Sequence, residues 1–93
     1  MSPGALDTFA NELQDLREGR VQIEVLWNRY LDLGDFETIL SFVQHYVADA
    51  DIRAKDSTYR AMQEESFDRL LELLRAGRIR EAKRVTFLRP FAR

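Results

Sequence analysis

One histidine, no cysteine and a scatter of carboxylates make up the catalytic inventory of this chain. Nucleophilic chemistry requires a hydroxyl or thiol held against a base. His45, between Gln44 and Tyr46, is expected to have no serine, cysteine or second histidine at a spacing that would make a nucleophile and base pair. A structural or surface role is expected for it, and no enzyme activity, because site chemistry takes a constellation rather than a residue. Asp49, Asp51 and Asp56 could open a cation loop, but Arg53 stands where the next ligand should be, and no glycine supplies the sharp turn. These carboxylates read as loop solvation or helix caps. Neither a metal site nor a cofactor is expected.

The chemistry that remains is that of binding, and the charge distribution organises it. Residues 1 to 68 carry six Arg and Lys against fourteen Asp and Glu, a net of −8; residues 69 to 93 carry eight against two, a net of +6. Such a split governs association more than fold. The basic end, with Arg75, Arg78, Arg80, Lys83, Arg84 and Arg89, calls for an acidic surface. That surface could belong to another protein, to a second copy of this chain or to nucleic acid.

Ninety-three residues with 45% apolar and 32% charged side chains make a single domain, 1–93, with one core. The absence of cysteine excludes disulfides and thiolate metal sites and makes a reducing, cytoplasmic compartment the natural expectation. Residues 1–7 lack the pattern of a signal peptide and no apolar run is long enough to span a bilayer, so no membrane association is expected.

The elements that must position these groups follow from apolar period. Leu6, Phe9, Leu13 and Leu16 predict a first helix over about 5–18, stopped at Gly19. Ile23, Leu26, Trp27, Tyr30 and Leu31 predict a second, ended by Gly34 in the left-handed C′ position. Asp35 is expected to cap a third helix carrying Phe36, Ile39, Leu40, Val43, Tyr46 and Val47. Residues 48–58 permit helix or loop; a break is favoured, with Asp56 or Ser57 capping the next helix. Tyr59, Met62, Phe67, Leu70, Leu71, Leu73 and Leu74 cover about half a helical cylinder, which predicts a central fourth helix stopped at Gly77. A short basic fifth helix through Ile79, Ala82 and Val85 is expected to end at Pro90. The fold class is therefore all-α: a small bundle of four long helices and a short C-terminal one, built from antiparallel hairpins, with 87–93 as an apolar and basic tail.

Two further patterns bear on function. At a spacing of 58, residues 9–21 and 67–79 match at six of thirteen positions: Phe9/Phe67, Leu13/Leu71, Leu16/Leu74, Arg17/Arg75, Gly19/Gly77 and Arg20/Arg78. A shared helix-end recipe of Leu, Arg and Gly is the plainer account, and a pseudo-symmetric pair of hairpins the other. Leu26, Tyr30, Gly34, Asp35 and Phe36 resemble the centre of a tetratricopeptide repeat. Trp27, Ile39 and Tyr46, however, fill places where that family has small residues, so the stretch reads as a generic antiparallel pair.

Surplus apolar surface points to a partner. At about 100° per residue Val25 falls opposite the second helix's stripe and Phe42 falls off the third's. With Trp27, and with Phe87 and Phe91 of the tail, they form the expected protein-binding set, because contiguous exposed apolar patches mark interfaces. The function expected is that of a non-enzymatic interaction module, a small adaptor, inhibitor or immunity-type protein, and a homodimer is the expected assembly. The alternative is a dimeric nucleic-acid-binding regulator in which residues 73–85 act as helix, turn and recognition helix.

Overall fold

The computed structural model describes residues 3–30 and 32–86. Among them are six helices and no strand: α1 (Pro3–Arg17), α2 (Ile23–Arg29), α3 (Gly34–Ala48), α4 (Ala50–Lys55), α5 (Ser57–Arg75) and α6 (Ile79–Ala82). The all-α expectation holds. The count differs, because 48–58 contains the short α4 between breaks at Asp49 and Asp56.

α5 is the element around which the others gather. It packs on α1, α4 and α6, while α2 packs on α3. Tyr59, Phe67, Leu70, Leu71, Leu73 and Leu74 are all buried, which is why its apolar surface extends so far round the helix. Asp56 caps α5 as expected, its Oδ1 accepting the Tyr59 N–H at 3.0 Å. The first core cluster joins α1 to the α2–α3 connection: the Phe9 ring lies 4.8 Å from Tyr30 and 4.3 Å from Phe36, and those two meet edge-on at 4.9 Å. Pairs of this geometry add about 0.5–1.5 kcal/mol beyond the area they bury.

The two segments that match at a spacing of 58 end in the same way. The Arg20 N–H reaches the Asp15 carbonyl and the Gly19 N–H that of Leu16; the Arg78 N–H reaches Leu73 and the Gly77 N–H Leu74. Both are Schellman ends, with Gly19 at φ +80° and Gly77 at φ +77°. Arg17, at the end of α1, bonds Glu64 and Asp68 in the middle of α5, and Arg75, at the end of α5, bonds Asn11 in the middle of α1. The two helices thus lie antiparallel about an approximate two-fold. Nothing lies within 4 Å of a Cβ built at either glycine, so alanine there meets only the left-handed backbone penalty. Gly19→Ala and Gly77→Ala are each expected to lower stability by about 1 kcal/mol in urea denaturation.

The C-terminus of α2 departs from expectation. The helix closes at Arg29, with the Tyr30 N–H bonded to the Leu26 carbonyl, and Gly34 opens α3 instead of ending α2. Leu33 occupies the N-cap, its carbonyl accepting from the Glu37 N–H at 2.9 Å. Asp35 lies inside the first turn, where its charge still suits the helix dipole, and Lys83 Nζ holds its carboxylate at 2.9 Å. α6 is also shorter than expected: the chain leaves it in turns, with the Arg84 N–H on Glu81 and the Val85 N–H on Ala82. Pro90, the expected terminator, lies outside the described residues.

Candidate protein-binding groove

The turn at Gly77 folds α6 back against α5 and leaves a groove of about 490 Å³ between them. One wall is Ser66, Arg69 and Leu73, which the i, i+3, i+7 spacing places on one stripe of α5. The other is Glu81 with Arg84, Val85 and Thr86 from the turn after α6. Leu73 is buried and Val85 half-buried, and they are the apolar members of the lining. Arg69 and Arg84 are exposed, and neither forms an ion pair among the described residues. Glu81 is occupied: Arg78 Nη2 and Nε donate to its Oε1 at 2.6 and 3.0 Å. The groove therefore offers two cations without an ion pair among the described residues, beside Leu73 and Val85. A second recess of about 310 Å³, lined by Gly77, Arg78, Ile79, Arg80 and Glu81, adjoins it through Glu81.

The basic residues singled out from sequence divide into two sets. Arg75 donates to Asn11 Oδ1 at 3.0 Å, Arg78 pairs with Glu81 and Lys83 with Asp35. These three work inside the fold. Arg80 and Arg84 are exposed, without an ion pair among the described residues. Arg89 lies outside the described residues. Arg69, which the sequence pattern left out of the patch, stands in the groove.

Among the described residues the apolar set does not converge. Val25 is 41% exposed, as its angular position required. Trp27 and Phe42 are partly buried against the core. Residues two apart on a helix point about 160° away from each other, which separates Val25 from Trp27. Trp27 Nε1 donates to Gln44 Oε1 at 3.0 Å, so Phe42, two residues before Gln44, faces away from Trp27 as well. Phe87 and Phe91 lie outside the described residues.

His45 is exposed. Ser41 lies one turn before it, but its hydroxyl donates to the Thr38 carbonyl at 2.7 Å. Among the described residues no three His, Cys, Asp or Glu side chains are grouped to hold a metal ion. Asp49 Oδ2 instead accepts from Tyr59 Oη at 2.6 Å and Gln63 Nε2 at 3.0 Å. No helix is long and apolar enough to cross a membrane among the described residues.

Those bonds belong to a polar network that periodicity alone did not reveal. Gln63 is 0% exposed and sits in the apolar stripe of α5, between Tyr59 and Phe67 at intervals of four. Its Oε1 accepts from Arg53 Nη1 at 2.7 Å, and the Arg53 guanidinium lies 3.7 Å from the Tyr46 ring centre. Arg53 also bonds the Tyr46 carbonyl, so one side chain ties α4, which buries no residue of its own, to α3 and α5. A glutamine within an otherwise apolar stripe was the available signal, since a buried amide must find partners.

Tyr46 Oη donates to Glu64 Oε2 at 2.8 Å. Its pKa is raised, first by burial and then by the bond to Glu64 and that carboxylate's charge, with Arg53 and Arg17 opposing. Burial raises Tyr30 too, against the charge of Arg29. A phenol whose folded pKa exceeds the unfolded one, about 10, contributes stability that is complete below that pH. Above it the unfolded chain releases its proton first, and the contribution is lost as pH rises through the folded pKa. Urea midpoints are expected to fall above about pH 10, and Tyr46→Phe to flatten the decline at a cost of about 1 kcal/mol at neutral pH. An unchanged slope in that variant would remove Tyr46 as its source.

Compared with protein-family models, with curated proteins and with solved structures, the chain matches none.

Proposed function

We propose that this protein is a non-enzymatic binding module, of adaptor, inhibitor or immunity type, that docks another protein in the groove between α5 and α6. The observation that carries this reading is the pairing of Arg69 and Arg84, both without an ion pair among the described residues, over Leu73 and Val85. Interfaces draw energy from apolar anchors and arginines that lose water together, and orientation from the charges around them. The partner can be a second copy of this chain, whose residues 1–68 carry the complementary charge, or a different protein.

Nucleic acid is the weaker reading. A recognition helix must lie along a groove, and α6, with four residues, is about 6 Å long. Lys83 is committed to Asp35, and the acidic body opposes approach to a polyanion.

The test is affinity capture from the native lysate after nuclease treatment, with the wild type and the double variant Arg69→Glu/Arg84→Glu compared at equal loading. One stoichiometric protein retained by the wild type and lost by the variant is expected, with both proteins giving the same helical spectrum. Equal retention by the two proteins would place binding elsewhere. Recovery that disappears with nuclease would move the function to nucleic acid.

A further inference from the structure

We infer that the occupant of the α5/α6 groove is an acidic segment of the partner that carries one apolar side chain flanked by carboxylates, an inference that rests on the reading of the groove as a protein-binding site. Leu73 and Val85 are the apolar contacts offered to a leucine-sized side chain, and an open groove of about 490 Å³ has room for it together with its neighbours. Arg69 comes to the lining from α5 and Arg84 from the turn after α6, so a carboxylate on each side of the anchor has one guanidinium to pair with. Arginine forms forked, paired hydrogen bonds with a carboxylate, which fixes orientation as well as charge. Ser66 and Thr86 supply hydroxyls at the rim.

The same residues disfavour other occupants. A basic segment would face two guanidiniums that have no ion pair among the described residues, in a groove whose one carboxylate among those residues, Glu81, is held by Arg78. Single-stranded nucleic acid is gripped by aromatic side chains on which bases stack, and the described lining contains none.

The experiment is fluorescence anisotropy on the full chain with four probes. These are a short labelled peptide with a central leucine flanked by glutamates, its counterpart with serine for leucine, its counterpart with lysines for glutamates, and a short single-stranded oligonucleotide. The leucine–glutamate peptide is expected to bind most tightly, and the serine peptide about tenfold or more weaker, the factor that goes with burying one leucine. Arg69→Gln/Arg84→Gln is expected to weaken the leucine–glutamate peptide by at least about tenfold, with the helical spectrum unchanged because both side chains are exposed. Arg69→Glu/Arg84→Glu is expected to reverse the preference toward the lysine peptide.

Tighter binding of the lysine peptide by the wild type would overturn the acidic assignment while leaving a protein-binding groove in place. Tightest binding of the oligonucleotide would overturn both. Displacement of the probe by a free peptide of residues 87–93 would make the chain's own basic tail the occupant and overturn the assignment. So would failure of all four probes to bind at millimolar concentration.

Discussion

Phe67→Ala is expected to lower the stability of this protein by about 3–5 kcal/mol, the range for removing a fully buried phenylalanine ring. Phe67 is 0% exposed and lies near the middle of α5. Its ring meets Tyr46 edge-on at 4.8 Å, and the Arg17 guanidinium sits 5.0 Å from its centre. Alanine would leave a cavity and remove the surface on which α1 and α3 both rest. A chain of this length is stable by about 5–14 kcal/mol, so the loss takes a large share of the total. Guanidinium denaturation followed by circular dichroism measures it, and Phe67→Leu should recover more than half. A change below about 1 kcal/mol for the alanine variant would mean that α5 is not the centre of the core. Phe9, the match of Phe67 at the spacing of 58, is also 0% exposed and is expected to behave alike.

Arg17→Met is expected to cost about 2 kcal/mol, less than the 3–5 kcal/mol for breaking a fully buried pair, because its partners are partly solvated. The Arg17 side chain is only 17% exposed, with Glu64 at 36% and Asp68 at 69%. Its Nε and Nη2 donate to Glu64 Oε1 at 2.8 and 2.5 Å, and Nη1 to Asp68 Oδ1 at 2.6 Å. Burial works against the charged form, but the hydrogen bonds to Asp68 and Glu64 and the charges of both outweigh it, so the pKa is raised. Methionine keeps the apolar stem and removes the fork. A double-mutant cycle with Glu64→Gln should return a coupling of about 1 kcal/mol, and a coupling near zero would assign the whole effect to packing over Phe67.

α1 and α5 were legible in the sequence because each carries a long stripe of period near 3.6, interrupted in α5 by Gln63, and ends in a glycine that the backbone requires. The exposure of Val25 was legible for the same reason. What failed were elements fixed by distant partners. Gly34 and Asp35 read as a helix stop and a cap, whereas both lie in the first turn of α3, where Asp35 pairs with Lys83, forty-eight residues on. α4 has no apolar stripe and is held through Arg53, a tie that no local pattern encodes. The candidate site divides in the same way. The basic character of the C-terminal part was visible in the charge count, but which basic side chains are left for a partner depended on Asn11, Asp35 and Glu81 taking Arg75, Lys83 and Arg78. Arg69 belonged to the preceding stripe of α5 and joined the groove only because the turn at Gly77 brings Arg84 back across from it.

Amide hydrogen exchange, recorded by segment on the free protein and on its complex with the captured partner, tests the groove as the binding site most directly. The expected result is slowed exchange over residues 79–86 in the complex, with the α2 amides unchanged. Protection over α2 or the outer face of α3, with residues 79–86 exchanging as they do in the free protein, would contradict it.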